Sequence, residues 1–320
     1  MTAAVTWNSN SSTGAEQIQI PVKEVKIPVP WGNIVAKLWG NENKRPLLAI
    51  HGWQDNCGVW DPLASLISDK VPILAIDMPG HGFSSWLPPG IVYDTWEIVR
   101  CIQAIKEYLK WDKVSILGHS MGSIGGARYC GLFPEDVDMV MSVENFVYED
   151  MDINIRLQMH IFGLKKVQLS KSFEPTSEPP AYTMEEIIEK WYLGADKSIL
   201  KENIPYLVKQ GVKPSTKHPG KFFFSRDIRV KYGSFTPENN DYLELLMRRV
   251  KCPVLYFRAK DSHYKSLSKG FPLKVQKLLQ ENNPHYESHL VEGTHHIHIN
   301  NADKLAPVIL EFLAKHNRFT

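Results

Sequence analysis

The stretch Val114–Gly126, Val-Ser-Ile-Leu-Gly-His-Ser-Met-Gly-Ser-Ile-Gly-Gly, constrains the fold of this chain more than any other. An apolar β-run leads into Gly118-His119-Ser120-Met121-Gly122, and a helical pattern follows through Ala127, Tyr129 and Leu132. A Gly-x-Ser-x-Gly segment between a strand and a helix marks a turn so sharp that the serine hydroxyl projects above the sheet edge. The two glycines are a steric requirement, because strand and helix backbones close on each other there. The bare pentapeptide would arise in roughly one chain in ten of this length, so its weight comes from its setting.

That setting alternates strands and helices, the pattern of a mostly parallel sheet. Residues 1–17 are small and polar and read as a flexible arm. Val22–Val29 and Ile34–Trp39 form a hairpin pattern, followed by a buried strand Pro46–Ile50, a helix Trp60–Ile67 and a strand Val71–Ile76. A helix over Thr95–Lys110 precedes the serine turn, and Val137–Val143 supplies a further strand. From 145 to 249 the alternation lapses, too long a gap for a connection, so this span is read as an insertion between core segments 18–144 and 250–320. Thr183-Met184-Glu185-Glu186 is a capping box opening a helix through Trp191, a second helix ends near Gly211, and the proline-rich Glu174–Pro180 reads as a linker. Val254–Phe257, a helix around Leu273–Leu279, His289–Val291 and a closing helix Ala302–Lys315 restore the α/β texture.

Composition excludes several function classes. The 37 basic and 35 acidic side chains leave a net charge of +2 with no basic stripe, so no nucleic-acid partner is expected. Cys57, Cys101, Cys130 and Cys252 stand far apart, which suggests neither a disulfide framework nor a cysteine metal site and fits a reducing compartment. The start lacks a basic and apolar leader, and no window reaches a membrane-spanning length of apolar residues, so a cytoplasmic location with no transmembrane segment is expected. Asn10-Ser11-Ser12 is formally a glycosylation sequon but reads as part of the arm, and Asn317–Thr320 matches no targeting address.

A serine hydroxyl needs a base to take its proton and a carboxylate to orient that base. Behind an elbow of this type the expected order is serine, acid, histidine. Asp261 follows the Val254–Phe257 strand and is the expected acid; Glu144, at the end of Val137–Val143, competes with it. Glu292-Gly293-Thr294-His295-His296-Ile297-His298 follows the last strand, and His295 is the expected base, with His296 its rival and His298 a core or supporting residue. No metal is expected at these histidines, since no carboxylate–cysteine pattern accompanies them. The two oxyanion donors are expected from the N–H groups of Met121 and Trp53. His51 reads as a turn residue bonded to backbone, Gly80-His81-Gly82 as a structural turn rather than a phosphate loop, and Cys57 as packing.

With His51-Gly52-Trp53, Asp77-Met78-Pro79-Gly80-His81-Gly82, Ser120, Asp261 and His295 in this order, the chain from Gly32 onward resembles an α/β-hydrolase. Within that superfamily, His51–Asn56 and Phe224-Ser225-Arg226-Asp227-Ile228-Arg229 are similar to segments of the serine hydrolase-like (kraken-type) proteins. The resemblance implies an α/β-hydrolase fold, a mostly parallel sheet of about eight strands with an inserted helical cap, and a hydrolase needing no cofactor. One departure is Ala259-Lys260 before Asp261, where many relatives carry a glycine turn. The expected activity is a serine esterase: cleavage of small-molecule carboxylic esters, with thioesters and lipid esters as variants, through a Ser-His-Asp triad and an acyl-enzyme. Ser120 argues against dehalogenase and epoxide hydrolase chemistry, which place aspartate at the elbow. The alternative is a small-molecule receptor or carrier that keeps the triad and turns over slowly. The insertion is expected to shape an apolar acyl site beside Ser120 through Ile155, Leu157, Met159, Ile161, Phe162, Leu164 and Phe222–Phe224.

Overall fold

A computed structural model describes residues 22–148, 152–169, 178–232, 239–264 and 269–316. The expected arm 1–17 with its sequon, residues 174–177 of the expected linker, and 317–320 lie outside the described residues. In chain order the elements are β1 (Val22–Val29), β2 (Gly32–Trp39), β3 (Leu47–Ile50), α1 (Asp61–Ile67), β4 (Ile73–Ile76), α2 (Trp96–Tyr108), β5 (Val114–His119), α3 (Met121–Leu132) and β6 (Val137–Val143). Then come α4 (Ile153–Leu169), α5 (Met184–Gly194), α6 (Ile204–Gly211), β7 (Val212–Pro214), β8 (Phe222–Phe224) and α7 (Asn240–Arg248). The chain closes with β9 (Val254–Ala259), α8 (Gly270–Asn282), β10 (Tyr286–Val291), α9 (Ile297–Asn300) and α10 (Ala302–Lys315).

Eight of the strands form one sheet in the order β1-β2-β4-β3-β5-β6-β9-β10. The pairs β1/β2 and β2/β4 are antiparallel, and those from β4 to β10 are parallel. The central strands β3, β4 and β5 are buried throughout, as strands covered by helices on both faces must be. Their parallel direction brings the loops after β3, β5, β6, β9 and β10 to one edge, where ligands of open α/β sheets bind.

Two parts of the insertion differ from expectation. Leu243, Leu246 and Met247 of α7 are buried in the same apolar cluster as Ala127 and Cys130 of α3 and Val275 and Leu278 of α8, so α7 packs with the core although it precedes residue 250. Helix α4 does not bury its apolar residues in a pocket: Ile155 is 57%, Phe162 55% and Leu164 63% exposed. Its apolar side chains are spread around the helix rather than gathered in one stripe, so no single packing face can cover them. Phe222 and Phe224 instead pack in the cluster with Ile187, Trp191 and Leu207 of α5 and α6, with the Phe224 and Trp191 rings 5.4 Å apart.

The segment Phe224–Arg229 has a structural task. Asp227 donates its N–H to Gly80 O and accepts from the Tyr93 hydroxyl at 2.9 Å, while the buried Arg229 donates to Asp227 and to the carbonyls of Leu87, Pro88 and Ile91. One buried ion pair thus ties the insertion to the loop leading into α2. No helix among the described residues is long and apolar enough to cross a membrane.

Candidate active site

Ser120 sits between β5 and α3 with φ 50° and ψ −113°, a conformation that costs an L-residue on the order of 1–3 kcal/mol. The surrounding contacts hold it there. Its N–H continues the β5/β6 ladder by donating to Val143 O at 2.9 Å, and its carbonyl accepts from Ile124 N–H to start α3. A Cβ at Gly122 would lie 2.2 Å from Ile50 O, and one at Gly118 2.6 Å from the Ser123 backbone, so both glycines are needed for strand and helix to approach. The Ser120 hydroxyl makes no hydrogen bond among the described residues; bonds of this kind commonly tighten only around bound substrate.

His295 is 3% exposed in the loop after β10, and its Nδ1 lies 2.7 Å from Glu144 Oε2. Glu144, fully buried at the end of β6, is therefore the carboxylate that meets His295, where Asp261 was expected. Strand order supplies the reason. β6 lies directly beside β5, so Glu144 follows the residue whose carbonyl holds Ser120 N–H, whereas β9 is one strand further out. Asp261 is exposed in the turn two residues beyond β9, its N–H donated to Gly293 O at 2.9 Å.

The Glu144 carboxylate is held from several sides. Oε1 accepts from Ala259 N–H and Oε2 from the Ser262 hydroxyl, each at 2.5 Å, beside the His295 contact. Its φ of 86° is a second strained backbone at neighbouring strand ends. The His295 ring is further boxed in by Tyr264, edge-on at 4.5 Å, and by His119 at 4.7 Å. Burial first, then the positive charge that His119, His296 and His263 would carry, hold the His295 pKa well below 6.5. A neutral ring donating Nδ1–H to Glu144 leaves a lone pair on Nε2, the form in which an imidazole can take a proton.

Met121 is the first residue of α3, so its N–H is not required by the helix. Trp53 follows β3 at the same edge, and its indole N–H donates to Val230 O at 2.9 Å, linking this loop to the insertion. His51 is, as expected, a turn residue: Nδ1 bonds Gly52 O at 2.7 Å and Nε2 accepts from Met78 N–H at 3.0 Å. Gly80 and Gly82 form a structural turn at φ 76° and 50°, and Gly82 closes on the Asp77 carboxylate, which accepts from Cys57 N–H, Phe83 N–H and Gln210. Cys57 is fully buried.

A half-open cleft lies beside this edge, lined chiefly by core residues, among them Trp53, Met78, Tyr93, Ile98 and Met121, with Val230 from the insertion. Asp94, Thr95 and Glu97 give it a polar side. The cleft owes less to the insertion than the sequence suggests. His296, the rival base, faces away from Glu144: its Nδ1 meets Ser198 Oγ at 2.6 Å and its Nε2 meets Asp55 at 3.3 Å. His298 is fully buried and packs at a tilt against His119, the ring centroids 4.0 Å apart. Asp55 was not singled out by sequence reasoning, although it stands within the His51–Asn56 segment.

Comparison with known proteins agrees with this architecture. A family model described as the alpha/beta hydrolase fold matches residues 45–169. A probable serine hydrolase of Drosophila melanogaster is 32% identical over 297 residues, covering 91% of this chain and 87% of that protein. A serine hydrolase-like protein of Danio rerio is 30% identical, covering 91% and 88%. The crystal structure of a hypothetical protein from Pseudomonas aeruginosa PAO1 superimposes with a TM-score of 0.76 at 28% identity, covering 91% of this chain and 99% of that one. The chain belongs to the α/β-hydrolase family, and within it to the serine hydrolase-like proteins.

Proposed function

We propose that this hydrolase cleaves carboxylic esters of small molecules by acyl transfer through Ser120, His295 and Glu144. The observation that carries the reading is the buried Glu144–His295 pair at 2.7 Å, on the strand adjoining the strained Ser120 turn. Neutral His295, fixed by its Nδ1–H bond to Glu144, takes the Ser120 proton on Nε2 as Oγ attacks the ester carbonyl. The N–H groups of Met121 and Trp53 receive the oxyanion. The imidazolium, stabilised by Glu144, returns its proton to the departing alcohol, and water releases the acid by the same steps in reverse.

The cleft lined by Met121 and Trp53 is the acyl site of this reading, each methylene that fits it adding up to about 0.8 kcal/mol of binding until the space is full. A fluorophosphonate probe tests the nucleophile: it should label the wild type and leave Ser120→Ala unlabelled. On p-nitrophenyl esters from acetate to decanoate, kcat/KM should rise over the first carbons and then level. Absence of both labelling and turnover would favour the receptor reading, and a fall from acetate onward would mean a small or polar acyl site.

A further inference from the structure

Beside Ser120, His295 and Glu144, three other buried side chains turn ligand atoms toward one point. Asp55 Oδ2 lies 3.3 Å from His296 Nε2 and 3.6 Å from His119 Nδ1, and all three atoms lie within 4.8 Å of one another. Their neighbours fix which nitrogen of each ring carries a proton. The Ser198 hydroxyl donates to Ala195 O at 2.5 Å, so toward His296 it can only accept, and His296 Nδ1 must be the N–H. His119 Nε2 faces the carbonyl oxygen of His295 at 3.2 Å and must likewise be an N–H. Both rings in their neutral forms therefore direct a lone pair, His296 Nε2 and His119 Nδ1, at the same carboxylate oxygen.

Three lone pairs converging in a buried space repel one another unless something positive lies between them. A proton on His296 settles one contact but leaves His119 Nδ1, which is buried without a hydrogen-bond partner, facing Asp55. We propose that Asp55, His119 and His296 form a binding site for one divalent cation of the zinc type. Zinc bonds of about 2.0–2.2 Å in tetrahedral geometry separate ligand atoms by about 3.3–3.6 Å, the spacing Asp55 already keeps from each histidine. The Ser198 and His295 contacts are the outer hydrogen bonds that orient metal-binding imidazoles. Against the two inward atoms lies Gly52, where a Cβ would come within 2.8 Å of His119 Nδ1 and 3.0 Å of Asp55 Oδ2, so the missing side chain keeps that face open. Arg226 interacts electrostatically with Asp55 and disfavours cations held by charge alone, such as Mg²⁺ and Ca²⁺; an ion bound through imidazole nitrogen suffers less.

The full chain, stripped with chelator, is dialysed against Zn²⁺ or Mg²⁺, and metal per chain is measured by mass spectrometry. One zinc and no magnesium should be retained by the wild type and by Asp261→Asn, and His296→Gln should lose the zinc. Ser198→Ala, which frees His296 to change tautomer, should weaken binding by roughly 10- to 100-fold. If His296→Gln does not fold by circular dichroism, Ser198→Ala and the visible spectrum of the Co²⁺-loaded wild type, diagnostic of four-coordinate nitrogen and oxygen ligation, decide the matter. No retained zinc would overturn the proposal and leave a proton on His296 as the bridging charge. Zinc undiminished in both variants, or lost instead in His295→Gln, would also overturn it, the last by moving the metal to the hydrolytic residues.

Discussion

Replacing Glu144 by glutamine keeps size and shape and changes only what the two terminal atoms can do. Oε1 accepts from Ala259 N–H, a donor that cannot turn round, so the amide oxygen of a glutamine must stay there. The NH₂ group then takes the place of Oε2, against the Ser262 hydroxyl and His295 Nδ1. The Ser262 hydroxyl can rotate and accept; the imidazole can accept only by moving its proton to Nε2. In that tautomer His295 has no lone pair for the Ser120 proton. The expected loss in kcat is on the order of 10⁴, about 5.4 kcal/mol of transition-state stabilisation, the size found when a triad acid is made an amide. Asp261→Asn, altering an exposed turn, should stay within about threefold of wild type. The assay is steady-state hydrolysis of a p-nitrophenyl ester together with the rate of fluorophosphonate labelling, with thermal melts showing that both variants fold. Glu144→Gln within tenfold of wild type, or Asp261→Asn losing as much as Glu144→Gln, would refute the reasoning.

Because burial holds the His295 pKa well below 6.5, kcat/KM should be level at pH 6.5 and fall only at lower pH; a half-maximal point at pH 7 or above in the pH–rate profile contradicts this. Buried His81 has a pKa lowered by desolvation to about 3, so the unfolded chain binds its proton first. Its contribution to stability is complete above about pH 6.5 and is lost toward pH 3, by about 1.4 kcal/mol per unit, and urea midpoints at pH 7 and pH 5 should differ accordingly. Gly122→Ala forces a methyl to 2.2 Å from Ile50 O and should destabilise the fold by about 3 kcal/mol or prevent expression; a melting temperature equal to wild type would mean the elbow relaxes freely. Arg229→Met leaves Asp227 buried without its cation and should cost about 3–5 kcal/mol, with early proteolytic cleavage in the insertion; unchanged proteolysis would show that the ion pair does not pin it.

The residues that ended strands were legible because hydrophobic runs and the glycines around them are local properties. Ser120 could be placed on a turn from five neighbouring residues, and His295 from the strand and glycine before it. The choice between Asp261 and Glu144 was different in kind. Each follows an apolar strand and each precedes His295 in the chain, so sequence order could not separate them. What separates them is that β6 lies between β5 and β9, and the β6/β9 pairing is set by residues more than a hundred positions apart. The insertion failed for another reason: an apolar side chain announces that it gains by burial but not what will cover it, and in α4 nearly every turn carries one. Asp55 was missed because an acid in a loop carries no signal by itself. Its meaning comes from His119, 64 positions later, and His296, 241 positions later, whose hydrogen bonds to Ser198 and to the His295 carbonyl determine which nitrogen faces it. Chemistry that depends on a tautomer is legible only once the atom on the far side of the ring is known, and here that atom belongs to a different segment of the chain.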